Sequence, residues 1–128
     1  MIKKFKYFFP ALIWLFAILI LSSYPGNKIP SAPFFGFDKV VHITIYFLLS
    51  LFVMFGFYFI RNKENLTLKL MIICAVFGIL FGGLMEICQH YIFVNRSGNC
   101  YDFLANTIGA IIGVAVCPKL FKLLPFKR

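Results

Sequence analysis

The stretch LKLMIICAVFGILFGGLMEICQHYIF, residues 68–93, decides the fold. Its only formally charged side chains are Lys69, near the start, and Glu86, far along it. A helix needs about 20 apolar residues to cross a bilayer. This run is longer than that, so the helix it forms is expected to tilt or to project beyond the hydrocarbon. Outward from it lie three more runs of spanning length, at residues 5–24, 38–60 and 102–124. None shows the alternating polar and apolar residues of an outer-membrane strand, so helices are the expected element. The 128-residue chain is 62% hydrophobic and 20% aromatic, with a mean hydropathy of +0.92. A soluble domain of this size has too little interior for so much apolar surface. The expectation is an all-α integral membrane four-helix bundle, a single domain over residues 1–128.

The basic residues give an orientation. Lys3, Lys4 and Lys6 precede the first helix, Arg61, Lys63 and Lys69 flank the second loop, and Lys119, Lys122, Lys127 and Arg128 end the chain. Lys28, Lys39 and Arg96 fall on the opposite side. This asymmetry predicts both termini on the cytoplasmic side. The formal charge of +9 is then a topology signal plus attraction to anionic lipid heads. With no basic domain outside the membrane, a nucleic-acid partner is not expected. The first run starts basic and continues apolar, as a signal peptide does. No A-x-A-like site follows, so it is read as a retained helix.

Each helix carries a polar or small stripe at a spacing of four, which keeps the residues near one face. On the second it is Asp38, His42, Tyr46 and Ser50; on the third, Cys74, Gly78, Gly82, Glu86 and His90; on the fourth, Asp102, Asn106, Ala110 and Gly113. Gly78/Gly82 and Gly109/Gly113 suit close helix packing. With the predicted topology, Asp38 and Asp102 begin their helices at the external end. His42 and Asn106 lie about 6 Å further in, and Glu86 lies roughly 10 Å in from the external end of its helix. Three stripes thus converge on one level of the outer leaflet.

Each residue also has a plainer reading. Asp38 and Asp102 suit helix starts, where a carboxylate accepts backbone N–H bonds. Lys39 is placed to snorkel to the headgroups. Gln89 and Asn106 can serve as interhelical hydrogen-bond glue, worth about 0.6–2 kcal/mol each. Glu86 is different, because inserting an acid in a span costs on the order of 2.5–3.5 kcal/mol unless a partner offsets it. A structural ion pair with Arg96, Lys39 or His42 would do so; a functional site is the preferred reading. His42, Glu86, His90 and the aspartates are a possible hydrolytic zinc set, but no H-x-x-x-H or H-E-x-x-H pair occurs, so no metal is assigned. No nucleophile elbow or G-x-G-x-x-G loop is visible, and no cofactor is expected. Cys74, Cys88 and Cys117 fall in spans and Cys100 in a loop, so no disulfide framework is implied.

These motifs resemble the VanZ-like family of small polytopic membrane proteins. The resemblance begins at SSYPG, residues 22–26, and continues in DKVVHITIY, where Asp38, Lys39, His42 and Tyr46 fit D-K-x-x-H-x-x-x-Y. Glu86, Gln89, Arg96, Asp102, Asn106 and Gly109 fit E-x-x-Q, then R, then D-x-x-x-N-x-x-G. His90 and Cys100 lie outside the pattern. The resemblance implies a cell-envelope protein of the bacterial cytoplasmic membrane, whose family takes its name from a member associated with low-level teicoplanin resistance. Two functions follow as expectations. In one, Lys39 and Arg96 engage an anionic lipid or envelope precursor, and Tyr46, Gln89 and Asn106 complete the binding site. In the other, the protein is an enzyme on such a lipid, with Glu86 and His42 as acid/base pair and Asp38 or Asp102 orienting the histidine. A transporter ranks third, because so short a chain would need a homo-oligomer to build a path.

Overall fold

The computed structural model describes residues 5–62 and 65–123. Lys3, Lys4, Lys63, Leu124, Lys127 and Arg128, which enter the charge and boundary expectations above, lie outside the described residues. Four helices account for most of the rest: α1, Phe9–Ser23; α2, Phe37–Ile60; α3, Leu68–Tyr91; and α4, Cys100–Leu123. A 3-10 turn at Lys6–Phe8 leads into α1, and another at Gly26–Lys28 follows it. No strand occurs among the described residues. All four helices, counting Lys6–Ser23 for the first, are long and apolar enough to cross a membrane. The protein is a multi-pass, all-helical membrane protein.

The helix limits have local causes. Pro10 opens α1, where its missing N–H costs nothing. The hydroxyl of Thr67 accepts the Leu70 N–H at 3.4 Å and caps α3. That helix stops at Tyr91, two residues before the apolar run does. The N–H groups of Ile92 and Phe93 both turn back to the Cys88 carbonyl, and Asn95 takes φ 54°. Asn99 then starts α4: its side-chain oxygen accepts the Tyr101 N–H at 2.9 Å, and its carbonyl accepts from Asp102 and Phe103. α4 therefore begins at Cys100 rather than at Asp102.

Packing follows the small residues. α2 and α4 run parallel, since their contacts advance in step from Lys39–Asp102 through His42–Asn106 to Tyr58–Phe121. A Cβ on Gly109 would lie 2.2 Å from the Ile43 carbonyl oxygen, and one on Gly113 2.6 Å from that of Phe47. Backbone touches backbone there, as the spacing of four implied. Ser50 adds a bond from its hydroxyl to the Ala110 carbonyl at 3.0 Å. α3 runs the other way against α4, Gly78 on Ala110 and Gly82 on Asn106. α1 is fastened to α2 by the Trp14 indole, which donates to the Ile45 carbonyl at 2.9 Å. Large apolar side chains such as Phe16, Ile20, Leu80, Leu84 and Ile112 point outward. That is the pattern of a protein whose solvent is lipid, because burying such groups against each other yields no hydrophobic gain there.

The two ends of the bundle differ. Phe55, Tyr58 and Phe121 pack ring on ring at one end. The polar stripes meet at the other.

Candidate functional site

The polar end is built on the starts of α2 and α4 and the final turns of α3. Because Gly109 lets α2 and α4 touch, His42 and Asn106 face each other one turn above that contact. The Nδ1 atom of His42 lies 2.8 Å from Oδ1 of Asn106. The Asn106 amide donates from Nδ2 to Oε1 of Glu86 at 3.2 Å. A carboxylate only accepts, so this bond fixes the amide's direction. Oδ1 is therefore the atom turned to the histidine, and Nδ1 must carry the proton. Nε2 is left facing Oδ2 of Asp102, 3.8 Å away.

Glu86 is the one buried charged residue among the described residues, its side chain 9% exposed. Its Oε2 accepts the backbone N–H of Asn99 at 3.1 Å, and its Oε1 lies 3.9 Å from Nδ1 of His42. Two hydrogen bonds and a nearby imidazole offset the cost of an acid at this depth. Asp102 on α4 and Asp38 on α2 both hold the Lys39 ammonium, the latter at 2.6 Å. A continuous polar chain thus runs from Asn99 through Glu86, Asn106, His42, Asp102 and Lys39 to Asp38. Exposure falls along it from Asp38 (56%) and Lys39 (31%) to His42 and Asp102, whose side chains are 18% and 14% exposed.

The structure brings Asp38, Lys39, His42, Glu86, Asp102 and Asn106 together. Tyr46 forms the floor: its ring packs on Gly82 beside Asn106, it is 3% exposed, and its hydroxyl has no hydrogen-bond partner. A buried hydroxyl left unpaired costs about 1–3 kcal/mol. Two expected residues sit elsewhere. Gln89 is buried but turned to α1, donating to the Ser22 carbonyl at 3.5 Å. Arg96 makes no ion pair among the described residues, and its side chain lies against Gly26 in the loop after α1. Lys39, expected to reach the headgroups or an anionic ligand, is held between two aspartates, Asp38 and Asp102.

Two contributors escaped the sequence reading. Asn99 acts through its backbone N–H. Gly98 allows that approach, because a Cβ there would stand 2.5 Å from the Glu86 carbonyl oxygen. The only signal in the sequence was a glycine in a short interhelical loop.

Chemically, the end offers an imidazole flanked by two carboxylates. One donor atom from each of His42, Glu86 and Asp102 lies within 4.8 Å of the others, so this trio could hold a metal ion. His90 is exposed and meets the Tyr91 ring edge to face, outside the cluster. All four cysteines are free; Cys74 and Cys117 are buried and Cys100 is exposed.

A family model described as VanZ/LLP1 matches residues 7–122, nearly the whole chain. An uncharacterized protein of Schizosaccharomyces pombe is 30% identical over 97 residues, 76% of this chain and 56% of that protein. The chain thus spans a little over half of that relative's length. No solved structure matches.

Proposed function

The chain belongs to the VanZ/LLP1 family, and from that premise we propose that it binds the headgroup of an anionic membrane lipid or envelope precursor at its polar end. One observation carries the reading. Side chains from three helices converge there, while the outer faces of those helices are apolar. A stable bundle needs no such cluster, since each polar group within a span adds a cost that packing alone would avoid. Arg96, at the same end and without an ion-pair partner among the described residues, is the cation for a phosphate or carboxylate. A similar protein in a fission yeast favours a ligand common to both kinds of membrane, a phospholipid, over one confined to bacterial walls.

The proposal places the site on the external face of a bacterial cytoplasmic membrane, with both termini inside, on the strength of the basic residues at the opposite end. Ligand binding there is the proposed route to an effect on teicoplanin susceptibility, since a lipoglycopeptide works at that face. Native mass spectrometry of gently purified protein tests the reading. The wild type should retain a phospholipid, and Arg96→Ala should lose about tenfold or more of it, the scale of one charge-assisted hydrogen bond. Wild-type protein free of lipid, across several mild detergents, would end the proposal.

A second reading, an enzyme acting on the bound lipid, draws on the place of His42 between Glu86 and Asp102 at 3.9 and 3.8 Å. That is the spacing of an acid/base group one small shift from a hydrogen bond. Under this reading Glu86→Gln binds the lipid but yields no product from a radiolabelled phospholipid, and wild-type protein without product excludes it.

A further inference from the structure

The charges at the polar end do not balance for an anionic ligand. Within the cluster itself three carboxylates, Asp38, Glu86 and Asp102, stand with Lys39 alone, Arg96 lying apart against Gly26. Lys39 is already engaged by two of them. An anionic headgroup brought here meets net negative charge in a poorly hydrated place, where repulsion is least screened. A divalent cation removes the conflict: its two charges and that of Lys39 equal the three carboxylates.

We infer that His42, Glu86 and Asp102 form a binding site for a divalent cation, of the Zn²⁺ or Mn²⁺ kind, which the phosphate of the headgroup completes. The phosphate half rests on the headgroup reading; the cation half does not. Three observations carry it. The donors come from three different helices, and one atom of each lies within 4.8 Å of the others. Ligands about 2.0–2.2 Å from a common ion sit closer together than that. Small side-chain rotations supply the difference.

The second observation is the histidine's tautomer. Asn106 is fixed by its bond to Glu86, and its Oδ1 accepts a hydrogen bond from Nδ1–H of His42. The Nε2 lone pair is thereby presented to Asp102. Ligating histidines are usually held in this way, by a second group on the other ring nitrogen. The third is Tyr46. Its hydroxyl is buried and unpartnered, and its ring packs on Gly82 beside Asn106. A water or phosphate oxygen carried in with the cation would give that hydroxyl the partner it lacks. One imidazole and two carboxylates leave coordination positions open, as in metal sites that bind substrate.

The test uses full-length protein in detergent micelles with zinc chloride or manganese chloride and no added lipid. After treatment with a chelator and dialysis against the metal, elemental analysis should find close to one ion per chain. Glu86→Gln, Asp102→Asn and His42→Ala should lose it, Asn106→Ala should weaken it about 10- to 100-fold, and His90→Ala should not change it. X-ray absorption of the zinc-loaded wild type should give a nitrogen and oxygen shell near 2.0–2.1 Å with one imidazole. That readout decides the matter even where a variant fails to fold. No ion retained by the wild type, or a sulfur shell from the cysteines, would overturn the inference. Ion binding without lipid would leave the cation site standing and the headgroup reading lost. Lipid binding that ignores a chelator, with no ion bound, would do the reverse.

Discussion

Gly109→Ala joins the packing to the site more directly than any other single change. The added Cβ would lie 2.2 Å from the Ile43 carbonyl oxygen, 2.9 Å from its carbon and 3.0 Å from its Cα. Ordinary contact begins near 3.4–3.5 Å, so α2 and α4 must part by roughly 1 Å. Backbone cannot rotate out of the way as a side chain can. Overpacking of this kind costs about 1–3 kcal/mol. The helix propensity gained by replacing glycine, about 0.8–1 kcal/mol in soluble helices, recovers only part of that. The same displacement reaches the site, because His42 precedes Ile43 and Asn106 lies one turn before Gly109. A His42–Asn106 separation of 2.8 Å grown by that amount is no longer a hydrogen bond. Thermal unfolding in detergent, followed by the emission of Trp14, the single tryptophan, should show a clear loss of stability together with loss of bound lipid. Gly83→Ala is the matched control. The atoms nearest its Cβ belong to the Phe103 ring, the first at 3.3 Å, and a ring can shift, so stability should hold within about 0.5 kcal/mol. A Gly109→Ala protein as stable and as lipid-loaded as the wild type would refute the packing argument.

Three further outcomes are expected. Glu86→Gln keeps one acceptor oxygen but sets an NH2 against either the Asn99 N–H or the Asn106 amide, so it should lower thermal stability by about 1–3 kcal/mol and reduce lipid retention. Full retention with no product from the lipid would favour the enzyme reading, and full retention with unchanged product would show that Glu86 is only structural. Gly98→Ala sets a Cβ 2.5 Å from the Glu86 carbonyl and should break the Asn99–Glu86 bond, accelerating amide hydrogen exchange at Asn99; unchanged exchange would mean that the loop adapts. A membrane-impermeant maleimide should label Cys100 from outside intact cells, Cys74 and Cys117 being buried. Labelling only after permeabilisation would reverse the proposed orientation.

Much of the fold was legible because the bilayer imposes one simple rule on each segment: enough apolar residues in a row, with small ones where helices touch. The spacing of four placed His42, Glu86 and Asn106 on inward faces, since four residues nearly complete a turn. Gln89 shows the limit of that rule. It lies three residues from Glu86, which rotates it by about 60°, enough to give it to Ser22 on α1. Lys39 shows another. Its capture by Asp102 joins residues 63 apart in sequence, and nothing local announces it. The role of Asn99 is a backbone hydrogen bond, set by the path of a loop rather than by a side-chain type. Family likeness pointed to the same residues without saying which of them touch.

His42 is held as the Nδ1–H tautomer between Glu86 and Asp102, in the site proposed to receive a headgroup. The chain has two histidines, and the exposed His90 serves as an internal reference. The ¹⁵N NMR spectrum of ring-labelled protein in nanodiscs tests the claim most directly. We predict a protonated Nδ1 and unprotonated Nε2 for His42, a shift of its ring signals when phosphatidylglycerol replaces phosphatidylcholine, and no such shift at His90. Two histidines that share one averaged signature and respond alike, or a His42 indifferent to the lipid, would contradict it.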